Sequence, residues 1–357
     1  MIETHALPGR TIVADGRERL YFSGTSYLGI HKNIIFQELL RDGFSQYGTG
    51  YSSSRTSNVQ LAIYEEAEDW LTSFIGSPTE KVLSALTFSS GYLAGQALIR
   101  TLDQGQRFIY APQAHPALWR SEGDNITGNF QPWVSHLETK VGCGSKEIVI
   151  VVNSVDALYA RRHSFAWVAC LPDYLSVTLV VDDSHGLGVL GEHGEGIYAS
   201  VTHLLPDNVS LIVVSSLGKA LGIPGGVVLG DNSIIQRLER STYFTAASPI
   251  APAYLWAMIR AGKLYTSLLG QLRENVQYFQ SLIEGTEVFQ YFGNYPVFYS
   301  TDQQICQALE PQCVLSSFSY PNPDSECITR VVISALHTEQ DIGLLGKLVQ
   351  QYVAVES

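Results

Sequence analysis

Residues 211–230, LIVVSSLGKALGIPGGVVLG, decide the reading of this chain. A run rich in β-branched residues ends in Ser215 and Ser216, and Lys219 then stands between glycines before a second glycine-rich turn and another apolar run. That order predicts a buried strand, a tight loop presenting one amine, and a return strand. Just upstream, residues 179–196 read LVVDDSHGLGVLGEHGEG, where an apolar strand delivers Asp182 and then His185 into a glycine-rich loop.

An acid at a strand end, a histidine shortly after it and an amine presented by the next strand suit pyridoxal 5'-phosphate. Its aldehyde needs an amine and its ring nitrogen needs an anion. Each residue alone has a plainer reading, since an Asp-Asp pair after a strand is often a turn and a lysine among glycines is often solvated. Taken together, VVDDSHGLGVLGEHGEG (180–196) and SSLGKALGIPGG (215–226) closely resemble the α-oxoamine synthases, and the resemblance runs from about Tyr21 to the C-terminus. It implies an α/β fold of the aspartate aminotransferase type (fold type I of the pyridoxal phosphate enzymes). A large domain would carry a mostly parallel sheet flanked by helices, followed by a small C-terminal α+β domain. The expected boundaries are an N-terminal segment over 1–45 that joins the small domain, a large domain over 46–250 and a small domain over 251–357.

The resemblance also distributes roles. Lys219 would hold the cofactor covalently and shuttle protons, Asp182 would keep the ring nitrogen protonated, His185 would bond the ring hydroxyl and Ser216 would support the phosphate. A strand entering SSGYLAGQALIRTL offers a helix start for that phosphate, and Ser90, Gly91 and Tyr92 match the family's phosphate-binding segment. His115, in APQAHPALWRS, matches the histidine that stacks on the ring. Asn153 ends the β run EIVIVV where the family usually has a glutamate, and is expected on the cofactor; the family's next serine falls on Ala157. Thr245 would reach the partner's phosphate in a homodimer with shared active sites. Arg330, in TRVVISALHT (329–338), would grip an amino-acid carboxylate, and Thr25, with Ser26 in place of the family's Asn-Asp pair, would lie beside the substrate. The implied reaction joins an α-amino acid to an acyl thioester of CoA or an acyl carrier protein. The alternatives are aminotransfer or another α-carbon reaction on the same cofactor, and a non-catalytic protein of the same fold.

Composition is consistent with this. The 357 residues are 45% hydrophobic and 16% charged, an ordinary globular balance with room for two domains. A net charge of −12 argues against nucleic acid or an anionic membrane as partners. The five cysteines (Cys143, Cys170, Cys306, Cys313, Cys327) show no CxxC spacing, which fits reduced thiols in a cytoplasmic protein. Periodicity predicts a hairpin over 11–22 and strands over 81–88, 108–110 and 147–152. It predicts helices over 34–44, 60–74, 234–238 and 341–352, and one long helix over 252–282. The acidic residues of 60–74 read as a solvated face. The loop YGTGYSSSRTSN (47–58) suits anion binding by composition, and the resemblance places 48–55 near the site.

Overall fold

Six strands build the larger sheet, in the spatial order Ser84–Phe88, Gly226–Gly230, Val209–Ser216, Ser176–Asp182, Glu147–Asn153, Arg107–Tyr110. The last four run parallel, and Gly226–Gly230 is antiparallel to both its neighbours. Near-continuous apolar runs such as IVIVV and TLVV are what a parallel sheet covered on both faces requires. Val149, Val151, Val180, Ile212 and Val214 pack in one core with Ala94, Ala97 and Leu98 of the helix Gly91–Leu102. Each branched side chain so buried contributes about 1.5–3 kcal/mol. Register pairs Asn153 with Asp182 and Asp182 with Val214, so the C-terminal ends of three neighbouring strands align. In open α/β sheets, ligands bind outside those ends.

The computed structural model describes all residues except Met1, Asp15, 77–82, Cys143, Thr301, Gln303, 321–323, Ser325, Glu326 and Ser357. The first residues expected in the 81–88 strand therefore lie outside the described residues; the strand is seen over Ser84–Phe88.

The chain forms two compact units: Ile34–Val155 with His163–Gly262, and Met1–Asn33 with Asp156–Arg162 and Lys263–Ser357. These limits differ from 46 and 251. The helix Ile34–Tyr47 belongs to the larger unit because it lies directly on Pro252–Arg260, so close that a Cβ at Gly43 would sit 2.7 Å from the Ala253 carbonyl oxygen. The expected single helix over 252–282 is two, Pro252–Arg260 and Gly262–Ile283, separated at Ala261, just before the units divide between Gly262 and Lys263.

In the smaller unit, five strands lie in the order Thr11–Ala14, Arg17–Phe22, Cys313–Ser319, Cys327–Val332, Val297–Ser300. The first two form the predicted hairpin. Asn275 of the long helix donates to the carbonyls of Ser334 and His337, both at 2.9 Å, and so fixes the turn before the last helix, Glu339–Glu356. Among the described residues, no helix is long and apolar enough to cross a membrane.

Candidate active site

Asp182 is buried at its strand end, with Oδ1 accepting the Ser184 N–H at 2.8 Å and Oδ2 lying 3.9 Å from His115 Nδ1. His115 Nδ1 in turn accepts the Ala117 N–H at 3.2 Å, which places the proton of the neutral ring on Nε2. Burial pulls the His115 pKa down, Lys219 pulls it the same way, and Asp182 opposes both. His115 is thus a neutral plate beside an acid.

Asp183 does different work. Its Oδ2 accepts the Ile197 N–H at 3.0 Å, and Cβ atoms built on Gly186 and Gly196 would fall 2.0 and 2.1 Å from its carboxylate oxygens. The glycine-rich loop can close only because both positions lack a side chain. Burial raises the Asp183 pKa to about 7, with the Ile197 N–H and the Lys219 charge among the groups that oppose it.

Lys219 is half-buried, and its charge acts on both His115 and Asp183. Its loop is anchored by Ser216, whose N–H donates to Ser184 Oγ at 2.8 Å and whose Oγ accepts the Gly218 N–H at 3.2 Å. The helix Gly91–Leu102 starts against this loop. A Cβ at Gly91 would lie 2.8 Å from Ser216 Cβ, and one at Gly226 would lie 2.5 Å from the Ser90 carbonyl oxygen. Ser90 caps the helix by accepting the Leu93 N–H at 3.0 Å, which leaves the Gly91 and Tyr92 N–H groups uncommitted among the described residues. The Tyr92 ring itself is 59% exposed. His185 is half-buried on the loop after Asp182. The Thr245 carbonyl accepts from Ser54 Oγ at 2.6 Å, which ties the 47–58 loop to this unit.

Asn153 spends its side chain elsewhere than expected. Oδ1 accepts the His115 N–H at 3.3 Å and Nδ2 donates to the Gln113 carbonyl at 2.7 Å. Both contacts are to the His115 loop.

Arg330 and Thr25 belong to the smaller unit. Arg330 is buried, donates from Nη1 to the Ala157 carbonyl at 2.6 Å and lies 5.2 Å from the Phe318 ring centroid. Among the described residues its Nε has no hydrogen-bond partner and no carboxylate pairs with it. A buried charge with no paired counter-charge costs several kcal/mol. The fully buried hydroxyls of Tyr27 and Tyr295 lie 3.5 Å apart; burial raises both pKa values, with the Arg330 charge opposing. Thr25 is half-buried in the loop after Arg17–Phe22.

Sequence reasoning missed the group around Arg55. Its guanidinium binds both oxygens of Glu68, with Nη2 to Oε2 at 2.9 Å, and stacks over Tyr64 and Phe244; Glu68 also accepts the Thr87 N–H at 2.7 Å. Glu68 is therefore a correction to the solvated acidic face. The signal was present in the helical period, since Tyr64, Ala67, Leu71 and Ile75 form the buried stripe and Glu68 lies on it.

The residues of the larger unit fit pyridoxal 5'-phosphate. The close approaches at Gly91 and Gly226 set the helix start against the lysine loop, where the Gly91 and Tyr92 N–H groups are uncommitted among the described residues. A buried carboxylate and a neutral ring lie together.

The sequence pattern of the aminotransferase class I and II family matches residues 45–342. An 8-amino-7-oxononanoate synthase of Dechloromonas aromatica (strain RCB) is 32% identical over 290 residues, covering 75% of this chain and 72% of that protein. One from Petrotoga mobilis is 29% identical over 360 residues, covering 94% and 88%. Among solved structures, a serine palmitoyltransferase from S. paucimobilis with bound PLP superimposes with a TM-score of 0.82 at 17% identity, covering 99% of this chain and 93% of that one. An 8-amino-7-oxononanoate synthase from Francisella tularensis gives 0.71 at 21% identity, covering 95% and 98%. Strand order, the lysine loop and these similarities agree: the chain belongs to the aminotransferase class I and II family, in its α-oxoamine synthase branch.

Proposed function

We propose that the protein is a pyridoxal phosphate-dependent acyltransferase, similar to 8-amino-7-oxononanoate synthase, that condenses an α-amino acid with an acyl thioester of CoA or an acyl carrier protein. The observation that carries the proposal is the His115 ring held with Nδ1 3.9 Å from Asp182 Oδ2, with burial and the Lys219 charge both favouring its neutral form. A neutral ring can lie flat on a cationic pyridine without repulsion, and the acid beside it supplies the counter-charge that keeps that ring protonated. When bound, the cofactor supplies an electron sink for the substrate α-carbon.

Each residue then has a task. Lys219 Nζ would hold the cofactor through its aldehyde carbon and, once free, would move a proton at the substrate α-carbon. Asp182 would supply the carboxylate for the ring nitrogen. The Gly91 and Tyr92 N–H groups, with the Ser216 and Ser90 hydroxyls, would receive the phosphate at a helix start, where the helix dipole favours an anion. His185 would bond the ring hydroxyl. Arg330 pairs with the substrate carboxylate through its open Nε edge, and Thr25 lies beside the substrate. In the acyl step, the α-carbon bonds to the thioester carbonyl carbon, the C–S bond breaks, and the thiolate leaves and takes up a proton. We further propose a cytoplasmic homodimer in which Thr245 serves the partner's phosphate; cysteine spacing without a CxxC pair and the family resemblance support this.

Aminotransfer is the second reading. It is favoured by Asn153 and Ala157 standing where the family has its glutamate and serine. Incubating the cofactor-loaded protein with amino acids and acyl-CoA separates the two: thiol release matching amino acid consumed supports acyl transfer, and a keto acid formed without thiol release supports aminotransfer.

A further inference from the structure

We propose that Asn153 is a positioning residue: it clamps the backbone of the strained loop that presents His115 and does not itself touch the cofactor, a proposal that rests on the cofactor reading above. The two ends of its amide have opposite polarity, and each meets its match. Oδ1 receives the His115 N–H at 3.3 Å, and Nδ2 gives a hydrogen to the Gln113 carbonyl at 2.7 Å. Turning the amide over would set donor against donor and acceptor against acceptor, so the orientation is fixed by the loop.

The loop needs holding. Gln113 has φ of 61°, in the left-handed region that disfavours any residue with a Cβ. Such a conformation persists where its surroundings enforce it. The Gln113 N–H donates to Ile126 at 3.0 Å and the Trp119 indole donates to the Ala114 carbonyl at 2.7 Å, but these tie the loop to other loops. Asn153 ties it to the sheet.

The clamp is itself anchored. Asn153 is in register with Asp182. Its carbonyl accepts from His163 Nδ1 at 3.0 Å, and the His163 ring stacks on Phe130 with centroids 3.8 Å apart and planes 9° from parallel. One residue thus sets the spacing between the plate and the acid. A carboxylate of the same size could still accept from His115 but could not donate to Gln113, and it would place a second negative charge beside Asp182.

The test uses the full-length protein with Asn153→Ala and Asn153→Asp, each alone and combined with Gln113→Gly. Two lost neutral hydrogen bonds in Asn153→Ala, and one lost bond with a negative charge added beside Asp182 in Asn153→Asp, predict a Kd for pyridoxal phosphate raised about tenfold in either single variant. Glycine removes the strain that the clamp opposes, so the loss shrinks to about threefold when Gln113→Gly is present. In the cofactor-free protein, the His115 ring titration followed by NMR moves up toward the ordinary imidazole value in both Asn153 variants, because the loosened ring gains water. A residue that merely stabilised the fold would lower Tm without moving that titration. An unchanged His115 titration, or the same affinity loss with and without Gln113→Gly, overturns the proposal. If the wild-type protein binds no pyridoxal phosphate, the function proposed above fails, and the His115 titration still decides the clamp.

Discussion

Asn153 and Asp182 close neighbouring parallel strands and pair in register, yet they are put to opposite uses. Asp182 keeps one oxygen turned toward His115 with no hydrogen bond closer than the Ser184 contact on its other oxygen, so its charge is available to a ligand. Asn153 commits both ends of its amide to a loop. A strand end can act by charge or by placing something else, and only the first is announced by residue type. The same contrast divides Asp182 from Asp183, one residue apart, because alternation along the strand sends the second acid under the glycine-rich loop.

The sharpest way to break this comparison is to neutralise each acid. Asp182→Asn should lower turnover about 10³-fold, the scale of a lost preorganised charge at a reacting centre. Asp183→Asn should keep turnover within about threefold of wild type, since no step uses that group. It should instead change the pH dependence of stability. Burial raises the Asp183 pKa from 3.8 to about 7, so the folded state holds its proton where the unfolded chain has lost it. The contribution is fully present below about pH 4 and is lost as pH rises through about 7. Urea denaturation at several pH values should show that slope flattened in Asp183→Asn. Equal turnover losses in the two variants would remove the distinction.

A smaller effect is expected at Arg330. Loss of a charge-assisted contact costs about 1.5–3 kcal/mol, so Arg330→Ala should raise the amino-acid concentration for half-saturation about tenfold or more. Arg330→Lys should recover part of this, because an ammonium brings charge without the fork. Unchanged titrations in both variants would show that the carboxylate is held elsewhere.

A test of stability returns to a misread acid. Glu68→Ala breaks a mostly buried pair with Arg55 and should cost about 3 kcal/mol of stability. Exposed Glu65→Ala and Glu66→Ala should stay within about 0.5 kcal/mol by the same urea measurement. Similar costs at all three positions would restore the picture of a solvated face.

What could be read from the sequence follows from which signals are local. The parallel strands were legible because each is a short, continuous apolar run, and the tight loop after residues 209–216 because glycines flank Lys219. The helix break at Ala261 was not, since 252–282 keeps its apolar period across it and only the junction of two units interrupts it. Nor was the upper boundary of the N-terminal segment, because the packing of Gly43 on Ala253 joins residues far apart in the chain. Asn153 was picked out by position, but its partners Gln113 and His115 are brought to it by a strand pairing that no local pattern encodes.

The most direct test of the account is where the cofactor attaches. Protein loaded with pyridoxal phosphate, reduced with borohydride and digested, should carry the cofactor mass on the peptide containing Lys219, and Lys219→Ala should carry none. The cofactor fixed at another lysine, or fixed as well in Lys219→Ala as in wild type, would contradict it.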